Sequence, residues 1–112
     1  MKVADQRRFD FMVACCRKKH FFNLEEVVRL EASSNYTLIH TINTRPLVVA
    51  KVLSAYEELL EGLGFIRVHR SHLINMRFVA KLTRAGGIIL QDDRSIQVSR
   101  RRRKEVMKMM GN

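Results

Sequence analysis

The 112-residue chain has one proline, five glycines and only two cysteines. Because the cysteines, Cys15 and Cys16, are neighbours, a disulfide framework is excluded and we expect a reducing, cytoplasmic setting. The apolar run at residues 11–16 is too short for the hydrophobic region of a signal peptide or for a membrane span. The glycines form neither a GxGxxG nor a Walker pattern, which excludes these phosphate-binding loops.

Residues for metal binding or nucleophilic catalysis are also scarce. The cysteines and histidines form no CxxC pairs, and the three-residue separation of His69 and His72 places them on opposite faces of an extended strand. The alternation of Phe9, Val13 and Cys15 predicts a buried thiol rather than a reactive one. We therefore expect no metal, no other cofactor and no enzymatic activity.

Charge of one sign is abundant. The 21 lysines and arginines against 11 acidic residues give a formal net charge of +10, which predicts a polyanionic partner; plain solubility is the alternative. Basic residues dominate 67–77 and 94–104, which predicts one positive face. Six of the eleven acidic residues lie in two groups elsewhere: Glu25, Glu26, Glu31 and Glu57, Glu58, Glu61.

The first half of the chain has the pattern of antiparallel strands followed by a helix. Alternation predicts strands at 9–15, 27–32 and 36–42, with a basic turn at 17–23, a second turn at 33–35, and a hairpin loop at 43–46. Leu53, Tyr56, Leu60 and Leu63 then recur at helical spacing, which predicts a three-turn amphipathic helix at 51–62. No repeat or linker interrupts the chain, so we expect one domain over 1–112.

The second half returns to strands. FIRVHRSHLIN, residues 65–75, alternates like a strand that ends in a polar loop, and further strands follow at 76–82, after Gly86 and Gly87, and at 95–99. The whole pattern predicts seven to nine strands in a mainly antiparallel β fold. Residues 100–110 predict a short helix with Ser99 at its N-cap. Arginines in its first turn oppose the helix dipole, so either a bound polyanion or a solvated basic tail explains them.

Three blocks resemble the LytTR family of bacterial DNA-binding domains. FIRVHRSHLIN resembles the family signature FxRxHRSxLVN, EEVVRLEASSNYTLIH resembles DIxYIEAxxNYxxIH, and SIQVSRRRRKEV resembles IPVSRRYxxxV. The blocks stand in the family's order, with the helix between the first two in the chain, and cover residues 25–106.

The resemblance implies several small antiparallel sheets and sequence-specific binding of duplex DNA by loops that enter successive major grooves. Arg70 and Arg101 match the clearest base contacts, with Tyr36 or Thr37 as a third, and Lys104 suits phosphate. For His69 and Asn75 a structural role is the alternative. The complete set of residues assigned to DNA is Asn35, Tyr36, Thr37, His69, Arg70, Ser71, Asn75, Ser99, Arg100, Arg101, Arg102 and Lys104.

The resemblance also implies a bacterial transcriptional regulator of the response-regulator type. Such domains bind paired repeats, so two copies can share a site while the protein is a monomer or weak dimer in solution, and no membrane partner is implied. Family members usually carry a sensory or receiver domain before this module, and only about 24 residues precede the first block here. A module binding RNA or an acidic protein is the alternative. Single-strand RNA readers need exposed aromatic rings, and only Tyr36 is expected to provide one.

Overall fold

A computed structural model describes residues 11–15, 17–42 and 44–110, without the side chains of Phe11 and Cys15. The expectations for residues 9, 16 and 43 and for a buried Cys15 thiol lie outside this part. The described chain contains ten strands and two α-helices, so the mainly antiparallel β fold is confirmed with one strand more than the upper expectation. The elements are β1 Phe11–Cys15, β2 Lys18–Phe22, β3 Val27–Ser33, β4 Tyr36–Thr41, β5 Leu47–Val49, α1 Leu53–Leu59, β6 Phe65–His69, β7 His72–Asn75, β8 Val79–Leu82, β9 Gly87–Leu90, β10 Ser95–Gln97 and α2 Arg103–Met110.

The strands form three antiparallel sheets. A central sheet has the order β5-β4-β3-β7-β6, a smaller sheet has the order β10-β9-β8, and β1 pairs with β2. Short 3-10 turns at Leu24–Glu26, Met76–Phe78 and Arg100–Arg102 connect the strands and start the last helix. None of the helices in the described ranges is long and apolar enough to cross a membrane.

The central sheet is the middle layer of the molecule. Leu73 belongs to a core cluster with Tyr56 and Leu60 from α1, whereas its neighbour Ile74 belongs to a second cluster with residues of β9 and α2. Adjacent residues of a strand point to opposite faces. Therefore α1 packs on one face of the central sheet, and the small sheet and α2 pack on the other.

Two predicted elements need correction. Residues 18–22 form strand β2, whose Phe21 pairs with Met12 of β1, instead of the expected basic turn. The segment 65–75 is a hairpin of two strands rather than one strand, because Arg70 and Ser71 form a two-residue turn between the paired residues His69 and His72.

The amphipathic helix is shorter than predicted. Leu53, Tyr56 and Leu60 are buried as expected, but Leu63 is 53% exposed. Gly62 and Gly64, which flank it, have φ angles of 80° and 92°. α1 ends at Leu59, and the left-handed backbone at the two glycines then turns the chain into β6, so that Leu63 no longer shares the helical stripe.

The C-terminal helix forms close to the predicted bounds. Its Val106 is buried, whereas Met109 is 48% exposed. The first turn at Arg100–Arg102 is of the 3-10 type, and α2 proper starts at Arg103. Likewise, the predicted strand at 76–82 begins with a 3-10 turn and is extended only over Val79–Leu82.

Candidate nucleic-acid interface

Two tight turns lie at the same end of the central sheet. Ser34 and Asn35 connect β3 to β4, since Ser33 pairs with Tyr36. β3 is also antiparallel to β7, and the backbone N–H of Ala32 donates to the carbonyl of Ser71 at 2.9 Å. This hydrogen bond places the β6–β7 turn directly beside the β3–β4 turn.

The basic C-terminal segment begins next to these turns. The backbone N–H of Ser99 donates to the carbonyl of Val68 at 2.8 Å. Val68 precedes the last residue of β6, which leads into the β6–β7 turn. The fold thus brings together three segments that are distant in sequence: the β3–β4 turn, the β6–β7 turn and the 3-10 turn that opens α2. We call this region the turn surface and define it as residues 33–36, 69–72 and 99–104.

Half of the predicted DNA-contacting residues are exposed on the turn surface. They are Asn35, Tyr36, Arg70, Arg100, Arg101 and Lys104. The ring of Tyr36 is part of this group, since the residue is 50% exposed. Arginine forks bind guanine edges and phosphates, and lysine and asparagine suit phosphate or single base edges. The surface therefore offers groups for both base and phosphate contacts.

Two predicted contacts are corrected by burial. Thr37 is 0% exposed, and its Oγ1 donates to the carbonyl of Lys51 at 2.6 Å. Asn75 is 5% exposed; its Nδ2 donates to the carbonyls of Leu24 and Val27, and its Oδ1 accepts from the N–H of Arg77. Both side chains make their hydrogen bonds inside the fold, which agrees with the structural alternative for Asn75 and, of the pair Tyr36 and Thr37, leaves only Tyr36 exposed.

The remaining predicted residues are partly covered. Nδ1 of His69 accepts from the N–H of Ser71 at 3.1 Å, which agrees with the hydrogen-bonded structural role considered for it. Ser99 occupies the expected N-cap position with φ −66° and ψ 150°, but its side chain makes no capping bond. Within the described residues, Oγ of Ser99 and Nε of Arg102 are buried without a hydrogen-bond partner.

The prediction that His69 and His72 lie on opposite faces of a strand is wrong. Their ring centroids lie 5.5 Å apart, because the two-residue turn makes them opposite partners across the hairpin. The three-residue separation would place them on opposite faces only in a continuous strand.

A partly buried ionic cluster next to the turn surface was missed from the sequence. Arg29 is 4% exposed, and its Nη1 lies 3.3 Å from Glu31 Oε1, which also accepts from Nε2 of His40 at 2.9 Å. Glu31 pairs with His72 in the neighbouring strand. A signal was present, since an arginine and a glutamate stand two residues apart within an otherwise apolar strand.

The cluster changes the protonation of its members. Burial, together with the charge of Arg29, lowers the pKa of both His40 and His72 below the ordinary 6.5, despite the opposing charge of Glu31. Burial acts to raise the pKa of Glu31, but the hydrogen bond from His40 and the charge of Arg29 outweigh it and lower this pKa. Burial also lowers the pKa of Arg29 itself. The histidines are therefore neutral at pH 7, and Glu31 is ionised.

The fold and the turn surface together define a class of protein: a β-rich module that presents two tight turns and a basic segment at one end of its central sheet. The family model of the LytTr DNA-binding domain matches residues 17–111. The chain belongs to the LytTR family of DNA-binding domains, as its three sequence blocks predict.

One solved structure and two curated proteins are similar to this chain. A LytTr DNA-binding domain from Bacillus cereus superposes with a TM-score of 0.76 at 19% identity, covering 91% of this chain and 96% of that one. Two heme-containing CO-sensing transcriptional regulators of Paraburkholderia xenovorans strain LB400, RcoM 1 and RcoM 2, are 28% and 27% identical over 90% and 96% of this chain. The matches cover 40% and 42% of those two proteins, so the chain spans about two fifths of their length.

Proposed function

We propose that the chain binds double-stranded DNA sequence-specifically as part of a bacterial transcriptional regulator in the cytoplasm. One observation carries the proposal: the fold gathers three separate segments on one turn surface and leaves Arg70 and Arg101 exposed there. LytTR domains are the DNA-binding domains of transcriptional regulators, so this role agrees with the family. The turns enter successive major grooves, where an arginine fork fits O6 and N7 of guanine.

Each residue of the turn surface has a proposed role. Arg70 and Arg101 contact base edges, and Tyr36 supplies a third contact from the β3–β4 turn. Asn35, Arg100 and Lys104 hold phosphates, which fixes the register on the duplex without contributing sequence information. Two copies occupy paired repeats about one helical turn apart, which needs no dimer in solution.

The two Paraburkholderia relatives are longer than the part that this chain matches. Those two proteins are described as heme-containing and CO-sensing, and this chain covers only about two fifths of their length. We propose that the present chain supplies the DNA-binding part of a regulator and that its controlling signal acts through a separate element.

An RNA-binding or protein-docking module is the competing function. Tyr36 is not the sole exposed aromatic residue, as Phe21 is 55% exposed. Phe21 belongs to the β1–β2 sheet rather than to the turn surface. Stacking of successive bases on aromatic side chains is typical of single-strand binding. Tyr36 is the one exposed aromatic ring on the turn surface, where His69 and His72 are partly covered, so duplex DNA is favoured.

Selection of bound duplexes from a random pool tests the function. We expect enrichment of a paired repeat, and the selected duplex should bind more tightly than its scrambled form, than single-stranded RNA of the same sequence, and than an acidic protein. Neutralising about five to eight phosphates gives a slope of log K against log salt of about −5 to −7. No enrichment, or a preference for the RNA, would contradict the proposal.

A further inference from the structure

One arginine, Arg67, holds the backbone of the β6–β7 turn by hydrogen bonds, an arrangement that we call the Arg67 clamp. The guanidinium of Arg67 donates from Nε to the carbonyl of His69 at 2.9 Å and from Nη2 to the carbonyl of Arg70 at 2.6 Å. Its side chain is only 11% exposed, so it cannot itself serve as a DNA contact. Two fixed carbonyls define the path of the turn that carries the Arg70 side chain.

The third donor of Arg67 connects the clamp to helix α1. Nη1 of Arg67 donates to Oε1 of Glu57 at 2.6 Å, and the other oxygen of this carboxylate lies 3.9 Å from Nη1 of Arg102. Glu57 is therefore placed between the β6–β7 turn and the basic segment that opens α2. All three residues line one cleft of about 550 Å³ between the two helices.

We infer that Glu57 and Arg67 are positioning residues, which fix the β6–β7 turn relative to the basic segment so that Arg70 and Arg101 reach their bases together. The inference deepens the proposed function and rests on it. A charge-assisted hydrogen bond is shorter and stronger than a neutral one, and Arg67 makes such a bond to Glu57 while two more of its donors hold the turn. The arrangement orients the turn without contacting DNA.

The sign of the effect at Glu57 separates positioning from simple electrostatics. Glu57→Gln raises the formal net charge from +10 to +11. Removing an anion from beside a DNA-binding surface should strengthen binding to every duplex if only charge counts. If Glu57 positions the turn, Glu57→Gln instead weakens binding to the selected duplex, because the neutral amide holds Arg67 less firmly and presents an NH2 group to Arg102.

Glu58→Gln is the matched control. Glu58 is the next residue of α1, is exposed, and changes the charge by the same amount. We expect Glu57→Gln to reduce affinity for the selected duplex by about tenfold, which corresponds to about 1.4 kcal/mol. Affinity for a scrambled duplex should stay equal or rise slightly. Glu58→Gln should leave the preference between the two duplexes at its wild-type value.

Arg67→Lys provides a second test at constant charge. An ammonium cannot reproduce the fork that reaches two backbone carbonyls and a carboxylate. We expect a loss of about tenfold on the selected duplex with an unchanged salt slope, since no phosphate contact is lost. Arg45→Lys is the control, because Arg45 lies in the β4–β5 connection at the other end of β4 from the turn surface.

The outcomes distinguish the inference from the proposed function. If the wild-type chain prefers no duplex, the proposed function fails and the inference fails with it. If the wild type discriminates but Glu57→Gln behaves like Glu58→Gln, only the positioning role is overturned. A double variant gives a further check: residues acting through one contact should lose less together than the sum of their separate losses. Fully additive losses would contradict a shared clamp.

Discussion

The tip and the base of the β6–β7 hairpin both carry polar residues, but Arg70 at the tip is exposed and Asn75 at the base is buried. At the tip, Arg70 is exposed, and Arg67 holds its backbone carbonyl from inside. At the base, five residues later, Asn75 is buried and bonded to three backbone groups. Both residues belong to the block FIRVHRSHLIN, which resembles a signature of the family. The same block of sequence therefore contains a residue that builds the fold and a residue that is exposed to solvent, and burial separates the two.

The largest expected effect is on the stability of the fold, at the base of the β6–β7 hairpin. Asn75→Ala removes one donor group and one acceptor, leaving the carbonyls of Leu24 and Val27 and the N–H of Arg77 without this partner. Buried polar groups that lose their partner cost about 1–3 kcal/mol each, and we expect a total loss of about 2–4 kcal/mol in the free energy of unfolding. Urea unfolding measures this loss.

Asn35→Ala serves as its control, because Asn35 is exposed in the β3–β4 turn. An exposed substitution should change the unfolding free energy by less than about 0.5 kcal/mol. If Asn75→Ala kept the wild-type stability but lost the preference for the selected duplex over scrambled DNA, Asn75 would be a DNA contact and not a structural residue.

The next effect concerns base contacts at the tip and in the basic segment. Arg70→Ala and Arg101→Ala should each cost about 1–3 kcal/mol of binding free energy on the selected duplex, and less on scrambled DNA. Thermal melts should show both variants folded like the wild type, since both side chains are exposed.

Arg103→Ala tests whether Arg101 is special within the arginine run. Arg103 is also exposed, but it lies two residues further on, at the start of α2. Equal losses for Arg101→Ala and Arg103→Ala on both duplexes would mean that the run acts only as an electrostatic patch and that Arg101 is not a base contact.

A smaller effect should appear when the pH is lowered. The pKa of His72 and of His40 is below 6.5 in the folded chain, so the unfolded chain binds their protons more readily. Stability from this source is fully present above pH 6.5 and is lost as the pH falls through the folded pKa values. The lowered pKa of Glu31 acts in the same direction below its ordinary value of 4.5.

Urea midpoints at pH 7.5 and pH 5.5 measure this dependence. We expect the wild-type midpoint to fall on acidification and to fall less in His72→Gln, which lacks one of the two groups. Ser71→Ala retains both histidines and should behave like the wild type. A wild-type midpoint that rises on acidification would show that the ionic cluster favours protonated histidines instead.

The smallest effect is expected for a single phosphate contact. Lys104→Ala should weaken binding to all duplexes alike and make the salt slope shallower by about one. Glu105→Gln, at the neighbouring exposed position, removes a negative charge and should not weaken binding. A loss confined to the selected duplex would instead assign Lys104 a base contact.

The sequence by itself determined the family, the β-rich architecture and the exposed basic residues. Period-two alternation predicted most strands, since each strand has one face in the core. The same local reasoning failed where the backbone turns within one or two residues. It missed the turn at Arg70 and Ser71, and it placed Leu63 in the helix stripe although Gly62 and Gly64 redirect the chain on both sides of it.

Only the tertiary structure decided which polar side chains are free for a ligand. Thr37 follows the exposed Tyr36, and Asn75 lies in the same sequence block as the exposed Arg70, but their partners, Lys51, Leu24 and Val27, come from distant parts of the chain. The clamp of Arg67 likewise depends on Glu57, ten residues away on α1. Local patterns report the face of an element, whereas burial and hydrogen bonding depend on which other elements pack against that face. For this reason the three segments of the turn surface could be predicted from the sequence, whereas only the packing shows which of their side chains are exposed.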